Sequence, residues 1–326
     1  MRVKSPRGPT VLRFLAAMSA ATTSPVLDLL VRAIAPTDEL RISAAVTTEV
    51  VREAQRRHQL TPAATVAMGR ALTSGLLLAT MTKGEERVTL QVVGDGPLGN
   101  IVADANAHGD VRGYVKNPRV EGTIGTRPQI EGLVGRHGIL NVTRDLGMRD
   151  LYQGQVELTT GEIDEDVEAY LRSSEQVPSA LSCEVLLDCD GNVLRAGGIL
   201  IQALPGGDAD AITRAQHRLR TGALHLMLLA GDVSARDIAA GLSPSHPVEV
   251  LGEDRPVRFQ CQCSDERIRA TLQLLTATDL DEMIDEGKPA EVTCNFCNQH
   301  YEVPVSELAE LRAEMKSAVK TSLETN

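Results

Sequence analysis

The amino-acid sequence predicts an α+β protein with a core domain of largely antiparallel sheets, a partly helical linker and a small C-terminal module. Hydrophobic residues make up 42% of the 326 residues, which is enough to fill sizeable cores. Between residues 87 and 202, short runs of alternating apolar and polar residues follow one another through turn signals, as is typical of antiparallel strands. Four of the six cysteines then lie near the C-terminus, in a segment of different composition.

The net charge and the shortage of aromatic residues exclude several classes of partner. The formal charge is -11, and aromatic residues make up 2% of the chain. A nucleic-acid or anionic membrane surface needs clustered Lys and Arg, and single-stranded nucleic acid is commonly held by stacked rings. No apolar run approaches the ~20 residues that cross a bilayer. We therefore expect no nucleic-acid partner and no membrane partner.

The first 25 residues stand apart from the rest of the chain. They contain four basic residues, no acidic residue and a run of small side chains. This composition fits a targeting segment, a disordered tail, or a start codon placed upstream of an alternative start at Met18. We treat residues 1–25 as an extension outside the fold, and the core domain is predicted to cover residues 26–205.

The core domain is predicted to contain a strand and then two helices. Residues 40–46 alternate with the period of a half-buried strand, and Thr47 and Thr48 can cap a helix behind it. A Thr61-Pro62 pair is typical of a second helix start. Because apolar side chains cover most of the circumference of residues 63–81, this second helix is predicted to be buried.

Strands dominate the rest of the core domain, interrupted by one helix over residues 162–173. An Asp190-Gly191 pair indicates a hairpin between the last two strands. Residues 94–99 read GxGxxG after a strand, as in a dinucleotide-binding loop, but such a loop must lead into a helix N-terminus. Pro97 and the alternating residues behind it predict a turn and a strand instead, so we assign no nucleotide site.

A Pro-Gly-Gly sequence ends the core domain at residue 205, and residues 206–256 are predicted to form a linker with marginal structure of its own. Residues 208–230 predict one amphipathic helix, and a turn-rich connector follows it, with at most one short helix before the connector. The apolar side of this helix contains Ile212, Ala215, Leu219, Ala223 and Leu226.

The last module, predicted to cover residues 257–326, contains two close cysteine pairs. They are Cys261 and Cys263 in a CQC sequence, and Cys294 and Cys297 in a CNFC sequence. Zinc prefers four ligands in a tetrahedron, which two close pairs separated by about thirty residues can supply. We predict one structural zinc ion per chain in the reduced protein. Four thiolates leave no position for a catalytic water, so the site is not a hydrolase centre.

The residues near the cysteines are not predicted to bind the metal. His300 follows the CNFC pair by three residues but is not needed as a ligand, because the four cysteines complete the shell. Phe259, Phe296 and Tyr301 are predicted to form the small core of the module. A helix is expected over residues 264–276, between the two pairs.

The chemistry of the cysteines makes a redox switch physically available, and their spacing favours a reducing compartment. Zinc-bound sulfur is thiolate, which peroxide and hypochlorous acid attack, and a CxC pair can close a disulfide once the metal is lost. A thioredoxin-like dithiol at the CNFC pair is the alternative, but it requires a helix N-terminus, whereas residues 298–304 predict a strand end. Pairs this close differ from a secreted disulfide framework, which favours the cytoplasm. Cys183 and Cys189 are interpreted as packing residues.

The sequence resembles the redox-regulated 33 kDa chaperonin family over about residues 26–311. Four segments carry the resemblance. They are RALTSGLLLATMTKGEERVTLQVVGDGPLGNIVADANAHGDVRGYVKNP in the core domain, GGILIQALPGG at its end, and FQCQCSDERI and AEVTCNFCNQHYEV in the last module. The arrangement of a CxC pair, a gap of about thirty residues and a CxxC pair is highly specific to this family. Residues 1–25 have no counterpart in it.

The resemblance implies an ATP-independent holdase rather than an enzyme. In such a protein the four cysteines, here Cys261, Cys263, Cys294 and Cys297, bind zinc in the reduced, inactive state. Oxidation joins the cysteines of each pair in a disulfide, releases zinc, and unfolds the zinc module and the linker. The active form, commonly a homodimer, holds unfolding or oxidatively damaged client proteins.

Two other classes of protein share some of these features. A zinc-ribbon regulatory or nucleic-acid-binding protein would have the same cysteine quartet. However, residues 264–291 contain eight acidic residues against Arg267, Arg269 and Lys288, and a nucleic-acid-binding ribbon would carry the opposite charge. An enzyme with a structural zinc would need a catalytic constellation in the core domain, and the sequence shows no paired motif there.

Overall fold

The computed structural model of the protein describes residues 27–122, 129–147 and 151–324, with side chains described as far as residue 315. The extension predicted at residues 1–25 lies outside the described residues. Within the described ranges, the helices include none that is both long and apolar enough to cross a bilayer.

The secondary structure of the described ranges is numbered in chain order. The strands are β1 (Leu29–Ala35), β2 (Leu40–Val46), β3 (Arg87–Gly94), β4 (Asn100–Asn106), β5 (Asp110–Val115), β6 (Gly138–Asp145), β7 (Tyr152–Glu157), β8 (Ser179–Leu187), β9 (Val193–Ala203), β10 (Glu249–Val250), β11 (Arg255–Pro256), β12 (Arg258–Phe259), β13 (Ala290–Thr293) and β14 (His300–Val303). The α-helices are α1 (Thr48–His58), α2 (Pro62–Ala79), α3 (Glu131–Val134), α4 (Ile163–Ser173), α5 (Ala209–Arg220), α6 (Ala223–Ala230), α7 (Ala235–Leu242), α8 (Asp265–Leu272), α9 (Ala277–Asp285) and α10 (Val305–Glu324).

Two six-stranded sheets form the framework of the protein. The first has the order β10-β1-β2-β9-β8, with β11 also paired to β1, and its described pairings are antiparallel. The second has the order β12-β5-β4-β3-β6-β7 and is antiparallel apart from the parallel pair β12 and β5. Gly191, with φ +82°, lies in the predicted hairpin turn between β8 and β9. The predicted α+β class with largely antiparallel sheets is confirmed.

Helix α2 is buried along its length and packs against strands of both sheets. Every residue from Ala63 to Ala79 is buried, and the helix contacts β3, β4 and β5 of the second sheet and β8 and β9 of the first. At its start, the hydroxyl of Thr61 accepts a hydrogen bond from the N–H of Ala64 at 3.3 Å. The prediction of a buried second helix with a threonine cap is confirmed.

The N-terminus of α1 is capped differently from the prediction. Thr47 is the N-cap residue, but its hydroxyl bonds that of Thr73 at 2.8 Å instead of the helix backbone. The carboxylate of Asp28 takes this place and accepts the N–H of Val50 at 2.8 Å. Burial raises the pKa of the Asp28 carboxyl to about 7, although the hydrogen bond from Val50 opposes the shift.

The GxGxxG segment forms a turn between two strands, as predicted. Strand β3 ends at Gly94, and β4 begins at Asn100. A Cβ atom on Gly94 would lie 1.9 Å from the carbonyl oxygen of Val134, and one on Gly96 would lie 2.3 Å from that of Leu133. The glycines are therefore required because the backbone of α3 passes directly against the turn.

The linker contains more structure than its sequence predicts. Helices α5, α6 and α7 pack on the first sheet, and β10 and β11 extend that sheet beside β1. The linker side chains buried in this interface include Ile212, Leu219, Leu224, Leu228, Ile238 and Leu242. Each of the three helices contributes large apolar residues to the same sheet face, whereas the marginal stability of the linker without such a partner stays a prediction.

The single helix predicted over residues 208–230 consists of two helices. They are separated around Gly222, whose φ of +86° is left-handed and ends α5 before α6 begins. The break changes which side of the chain faces the sheet. Leu226, predicted on the apolar side, is 63% exposed, whereas Leu224 and Leu228 are buried.

The C-terminal module has a small core of its own, between the β13–β14 hairpin and helices α8, α9 and α10. The residues buried in this core are Ile268, Leu272, Leu280, Ala290, Val303, Leu308 and Leu311. The helix predicted over residues 264–276 ends at Leu272, because Thr276 and Asp279 start α9 through a capping box. The boundaries predicted at residues 205 and 256 stay predictions, since the described packing continues across both.

Candidate metal centre

The four cysteines of the module meet at one point. Cys261 and Cys263 follow β12, and Cys294 and Cys297 lie in the turn between β13 and β14. Their four sulfur atoms all lie within 4.8 Å of one another. The Sγ atoms of Cys261 and Cys294 are 3.7 Å apart, and those of Cys263 and Cys297 are 3.3 Å apart. In the described structure all four are free thiols.

The positions of the sulfur atoms fit a tetrahedral metal ion. A Zn–S bond of about 2.3 Å gives a tetrahedron with edges of about 3.8 Å. The two S–S contacts given above are 3.7 and 3.3 Å, and all the S–S distances lie within 4.8 Å, so the set brackets this value. A donor set made of sulfur selects zinc or iron over magnesium and calcium, which prefer oxygen. The cluster could therefore hold one metal ion.

His300 is not part of the cluster. Its Nδ1 atom bonds the Oγ1 atom of Thr293 at 2.9 Å. Within the described residues, the group of side chains close enough together to hold a metal ion consists of the four cysteines. This arrangement agrees with the expectation that His300 is not a ligand.

Backbone hydrogen bonds shape the turn that carries the CNFC pair. The N–H of Cys294 donates to the carbonyl of Gln299 at 2.9 Å, and the N–H of Asn298 donates to the carbonyl of Cys294 at 2.8 Å. Asn298 has a φ of +56°, a conformation that asparagine adopts more readily than most residues. Burial raises the pKa of Cys294, while hydrogen bonds from the N–H groups of Cys297 and Phe296 oppose the shift. The turn therefore directs N–H donors at a sulfur atom.

Cys261 differs from its neighbours in its electrostatic surroundings. Burial disfavours its thiolate, but hydrogen bonds from the N–H of Cys263 and from the guanidinium of Arg112 lower its pKa to about 7. The Nη1 atom of Arg112 lies 3.7 Å from the Cys261 Sγ atom. Burial raises the pKa of Cys297. A cation held between the sulfur atoms would favour all four thiolates, which is why metal binding at such sites releases protons.

The CNFC turn also contacts the core domain. The ring of Phe296 lies beneath the guanidinium of Arg112, with 4.2 Å between the Cζ atom and the ring centroid. The same ring meets Tyr114 edge-on, with 5.4 Å between centroids. The carbonyl of Phe296 bonds the Nε2 atom of His58 at 3.1 Å. The cysteine cluster is thus seated against β5 and the end of α1.

Two of the three aromatic residues assigned to the module's core lie elsewhere. Phe259 packs against the large apolar cluster of the core domain, and its ring lies 6.4 Å from that of His58. Phe296 lies against Tyr114 of the core domain. Tyr301 alone of the three packs with the apolar residues of the module. The prediction was wrong for Phe259 and Phe296 because closeness along the chain does not show which surface a ring covers.

The chain matches a known family over a range that includes the four cysteines. The family described as Hsp33 protein matches residues 28–304 of the chain. The chain belongs to the Hsp33 family. Among its Hsp33 relatives, the 33 kDa chaperonin of Bacillus licheniformis is 44% identical over 291 residues, covering 89% of this chain and 100% of the relative. The 33 kDa chaperonin of Bacillus subtilis is 41% identical over 295 residues, covering 88% of this chain and 98% of the relative.

A solved Hsp33 structure has a similar fold. The crystal structure of the 33 kDa chaperonin from Thermotoga maritima, at 2.20 Å resolution, matches with a TM-score of 0.78 and 31% sequence identity. The match covers 89% of this chain and 99% of the Thermotoga chain. The resemblance to the 33 kDa chaperonin family that the sequence indicates is confirmed.

The other two cysteines of this Hsp33-family chain lie outside the cluster. Cys183 is fully buried in β8, with its Sγ atom 3.3 Å from the hydroxyl of Ser74, and burial raises its pKa. It is a packing residue, as interpreted from the sequence. Cys189 is exposed just beyond the end of β8, so the same interpretation is wrong for it.

The sequence did not reveal the core-domain residues that this Hsp33-family chain places at the cluster. Arg112 is 149 residues from Cys261, and His58 is 238 residues from Phe296. Arg112 and Tyr114 occupy alternate positions on β5, a pattern that indicates one face of a strand without showing what covers it. The contact between β5 and the cysteine cluster depends on how the C-terminal part of the chain packs on the second sheet. The local periodicity of the sequence gives no information on this packing.

Proposed function

We propose that this protein is a redox-regulated, ATP-independent chaperone of the holdase type and not an enzyme. The observation that carries the proposal is the meeting of a CxC pair and a CxxC pair within 4.8 Å, in a chain of the Hsp33 family. Thiolates in such a cluster can be oxidised. The names of the relatives, 33 kDa chaperonin, support a role in holding other proteins.

We infer that the reduced protein binds one zinc ion per chain through Cys261, Cys263, Cys294 and Cys297. The sulfur donor set and the S–S distances support this assignment. Structural zinc contributes folding free energy on the order of 10 kcal/mol, which a module with so small a core needs. Metal analysis is expected to give one zinc per chain, and X-ray absorption a shell of four sulfur atoms. A shell rich in nitrogen or oxygen would show that another residue has replaced a cysteine.

Oxidation of the cluster is proposed to proceed by thiolate chemistry. One thiolate attacks peroxide, breaks the O–O bond and becomes a sulfenic acid, while hydroxide leaves. The second thiolate of the pair attacks that sulfur, displaces hydroxide and forms the S–S bond. For each disulfide formed, the two thiolates give two electrons to one peroxide, which takes up two protons and leaves as two waters. Disulfides Cys261–Cys263 and Cys294–Cys297 together remove all four thiolate ligands.

Loss of these ligands is proposed to free the module and the linker, residues 206–256 and 257–326, while the core domain of residues 26–205 stays folded. Strands β10 and β11 pair with β1 of the first sheet, and β12 pairs with β5 of the second. The segment from β10 to β12 leads directly into the CxC pair. It is therefore no longer held at its C-terminal end when the module unfolds. The linker helices can then separate from the first sheet, and both sides of that interface become apolar surface for a client.

The proposed partners are unfolding or oxidatively damaged proteins. We infer a homodimer as the active form and the cytoplasm as the location, where the reduced, metal-bound state is maintained. The net charge of -11 supports the absence of nucleic-acid and anionic membrane partners.

Light scattering of a thermally unfolding client protein tests the proposed function. Reduced, zinc-loaded protein and peroxide-treated protein are added at equal concentration, without ATP. We expect suppression of aggregation by the oxidised sample alone, and the same response from a Cys189→Ser control, which lacks an exposed thiol outside the cluster. Equal behaviour of the two samples would refute redox control, and failure of both would refute the chaperone function.

A further inference from the structure

We propose that Arg112 is the positioning residue through which the core domain holds the cysteine cluster closed. This inference rests on the proposed function, because it concerns how the same redox site is restrained. It assigns to one side chain of the core domain a direct influence on how readily the cluster loses its metal.

The orientation of Arg112 is fixed on the side of the core domain. Its Nε atom donates to Oδ2 of Asp104 at 2.8 Å, across the register pair that joins β5 to β4. Asp104 is 4% exposed, and its Oδ2 atom also accepts from Nη2 of Arg87 at 2.8 Å. A buried carboxylate held by two arginines has little freedom to move, so the guanidinium of Arg112 is directed towards the module.

On the other side, Arg112 contacts both halves of the cluster. Its Nη1 atom lies 3.7 Å from the sulfur of Cys261 in the CxC pair. Its guanidinium lies over the ring of Phe296, the residue between Asn295 and Cys297 in the CNFC turn. One planar cation therefore bridges the two cysteine pairs, and its side chain is 17% exposed, which limits screening by solvent.

Neighbouring contacts place Phe296 so that its position depends on the state of the cysteines. The carbonyl of Phe296 bonds His58, and Nδ2 of Asn298 donates to the carbonyl of Arg57 at 2.8 Å. Because a cysteine flanks this short segment at each end, a change in the partner of either sulfur moves the ring relative to Arg112. Contact between Phe296 and Arg112 and closure of the cluster therefore support each other.

Charge favours the same conclusion. Four thiolates around a divalent cation carry a net negative charge, and a guanidinium donating to one of them reduces it. Partners outside the ligand shell commonly change metal affinity 10–100-fold when removed. The loss of Arg112 should therefore weaken retention of the metal as well as the seating of the turn.

The test compares R112A and R112K with R258A in the full-length, reduced, zinc-loaded protein. Arg258 is a matched control, because it lies on the neighbouring strand β12 and pairs with Asp110, and its side chain is 64% exposed. Zinc release at a fixed peroxide concentration is followed with a chromogenic chelator. We expect R112A to release zinc about 10-fold faster than the wild type, in line with other partners of metal ligands, R112K to be intermediate and R258A to be unchanged.

A double-mutant cycle separates positioning from general destabilisation. If Arg112 acts through the CNFC turn, the effects of R112A and F296A on zinc release are not additive, and the double variant resembles the stronger single variant. Hydrogen exchange of residues 109–115 in the reduced protein reports whether R112A keeps the fold of β5. Release from R112A at the rate of R258A, or fully additive effects with F296A, would overturn the proposal. A wild-type protein that releases zinc but holds no client would instead refute the proposed function and leave this inference standing.

Discussion

The close sulfur contacts of the cluster join cysteines that belong to different pairs. Cys263 lies 3.3 Å from Cys297, and Cys261 lies 3.7 Å from Cys294. The closed cluster therefore gives no geometric preference to disulfides within each pair. A preference for local disulfides therefore arises once oxidation of a first thiolate to sulfenic acid has weakened metal binding and opened the cluster, because the cost of closing a loop then decides which sulfur atoms meet.

Peroxide oxidation is expected to link Cys261 to Cys263 and Cys294 to Cys297. Closing a loop of two or three residues in an opened chain costs less entropy than closing one of about thirty. Peptide mapping without reduction identifies the linked fragments. A dominant Cys263–Cys297 product would contradict the prediction and show that oxidation occurs within the closed cluster.

Asp28 provides a residue-scale prediction on pH. Burial raises the pKa of its carboxyl in the folded protein to about 7, so the folded state keeps a proton that the unfolded chain loses near pH 4. The folded state is therefore destabilised by ionisation of this carboxyl. Its contribution to stability is complete below about pH 4 and is lost as the pH rises towards about 7. Asp28→Asn should abolish this loss, because an amide does not ionise and its oxygen can still accept the N–H of Val50.

Urea unfolding of the wild type and of Asp28→Asn at about pH 5 and about pH 7.5 measures the effect. The difference in the free energy of unfolding, variant minus wild type, is expected to be about 2 kcal/mol larger at the higher pH than at the lower one. A difference that does not change with pH would show that Asp28 is ionised in the folded protein throughout this range.

Helices and strands that carry a strong local signal were predictable from the sequence. The buried helix α2 and the turn at residues 94–99 belong to this group. Apolar residues all around a helix, and the glycines and proline of a turn, can be recognised within a short stretch of sequence. The break at Gly222 was not predictable from apolar spacing alone. The apolar residues in the sequence continue at helical spacing as far as Leu226, although the folded chain buries Leu224 and Leu228 instead. The seating of Phe296 under Arg112 was also missed, because burial patterns show that a side chain is covered without showing what covers it.

The packing of the linker on the first sheet leads to a prediction at the scale of elements. Leu219 of α5 is 2% exposed against that sheet, whereas Leu226 of α6 is 63% exposed. Leu219→Ala is expected to destabilise the linker interface by about 2–5 kcal/mol, as for other buried leucines. Leu226→Ala should change stability by less than about 0.5 kcal/mol.

Hydrogen exchange of the linker and light scattering of a client, both with reduced protein, check this prediction. Leu219→Ala should raise exchange in residues 206–256 and suppress client aggregation without oxidant, since it loosens the interface that oxidation is proposed to open. Leu226→Ala serves as the control. If the two variants showed identical exchange and identical protection of the client, the linker interface would not be part of the proposed client-binding surface.

At the scale of the whole molecule, the short segment from β10 to β12 connects the first sheet to the second. Within β10, β11 and β12 the chain pairs with the first sheet and then with the second, and directly afterwards it supplies Cys261 and Cys263. The linker helices pack on the first sheet, and the cysteine cluster is seated on the second. This segment therefore connects the linker, both sheets and the cysteine cluster, and it is the expected route by which oxidation of the cluster reaches the linker.

Hydrogen exchange of the full-length protein, compared between the reduced, zinc-loaded state and the peroxide-oxidised state, tests the central claim most directly. The account predicts faster exchange in residues 206–311 after oxidation and unchanged protection in β3, β4, β6 and β8. A Cys294→Ser variant without oxidant should show the same pattern, because three thiolates hold the metal less firmly than four. A linker that stays fully protected after zinc has left, or a loss of protection throughout the chain, would contradict the account.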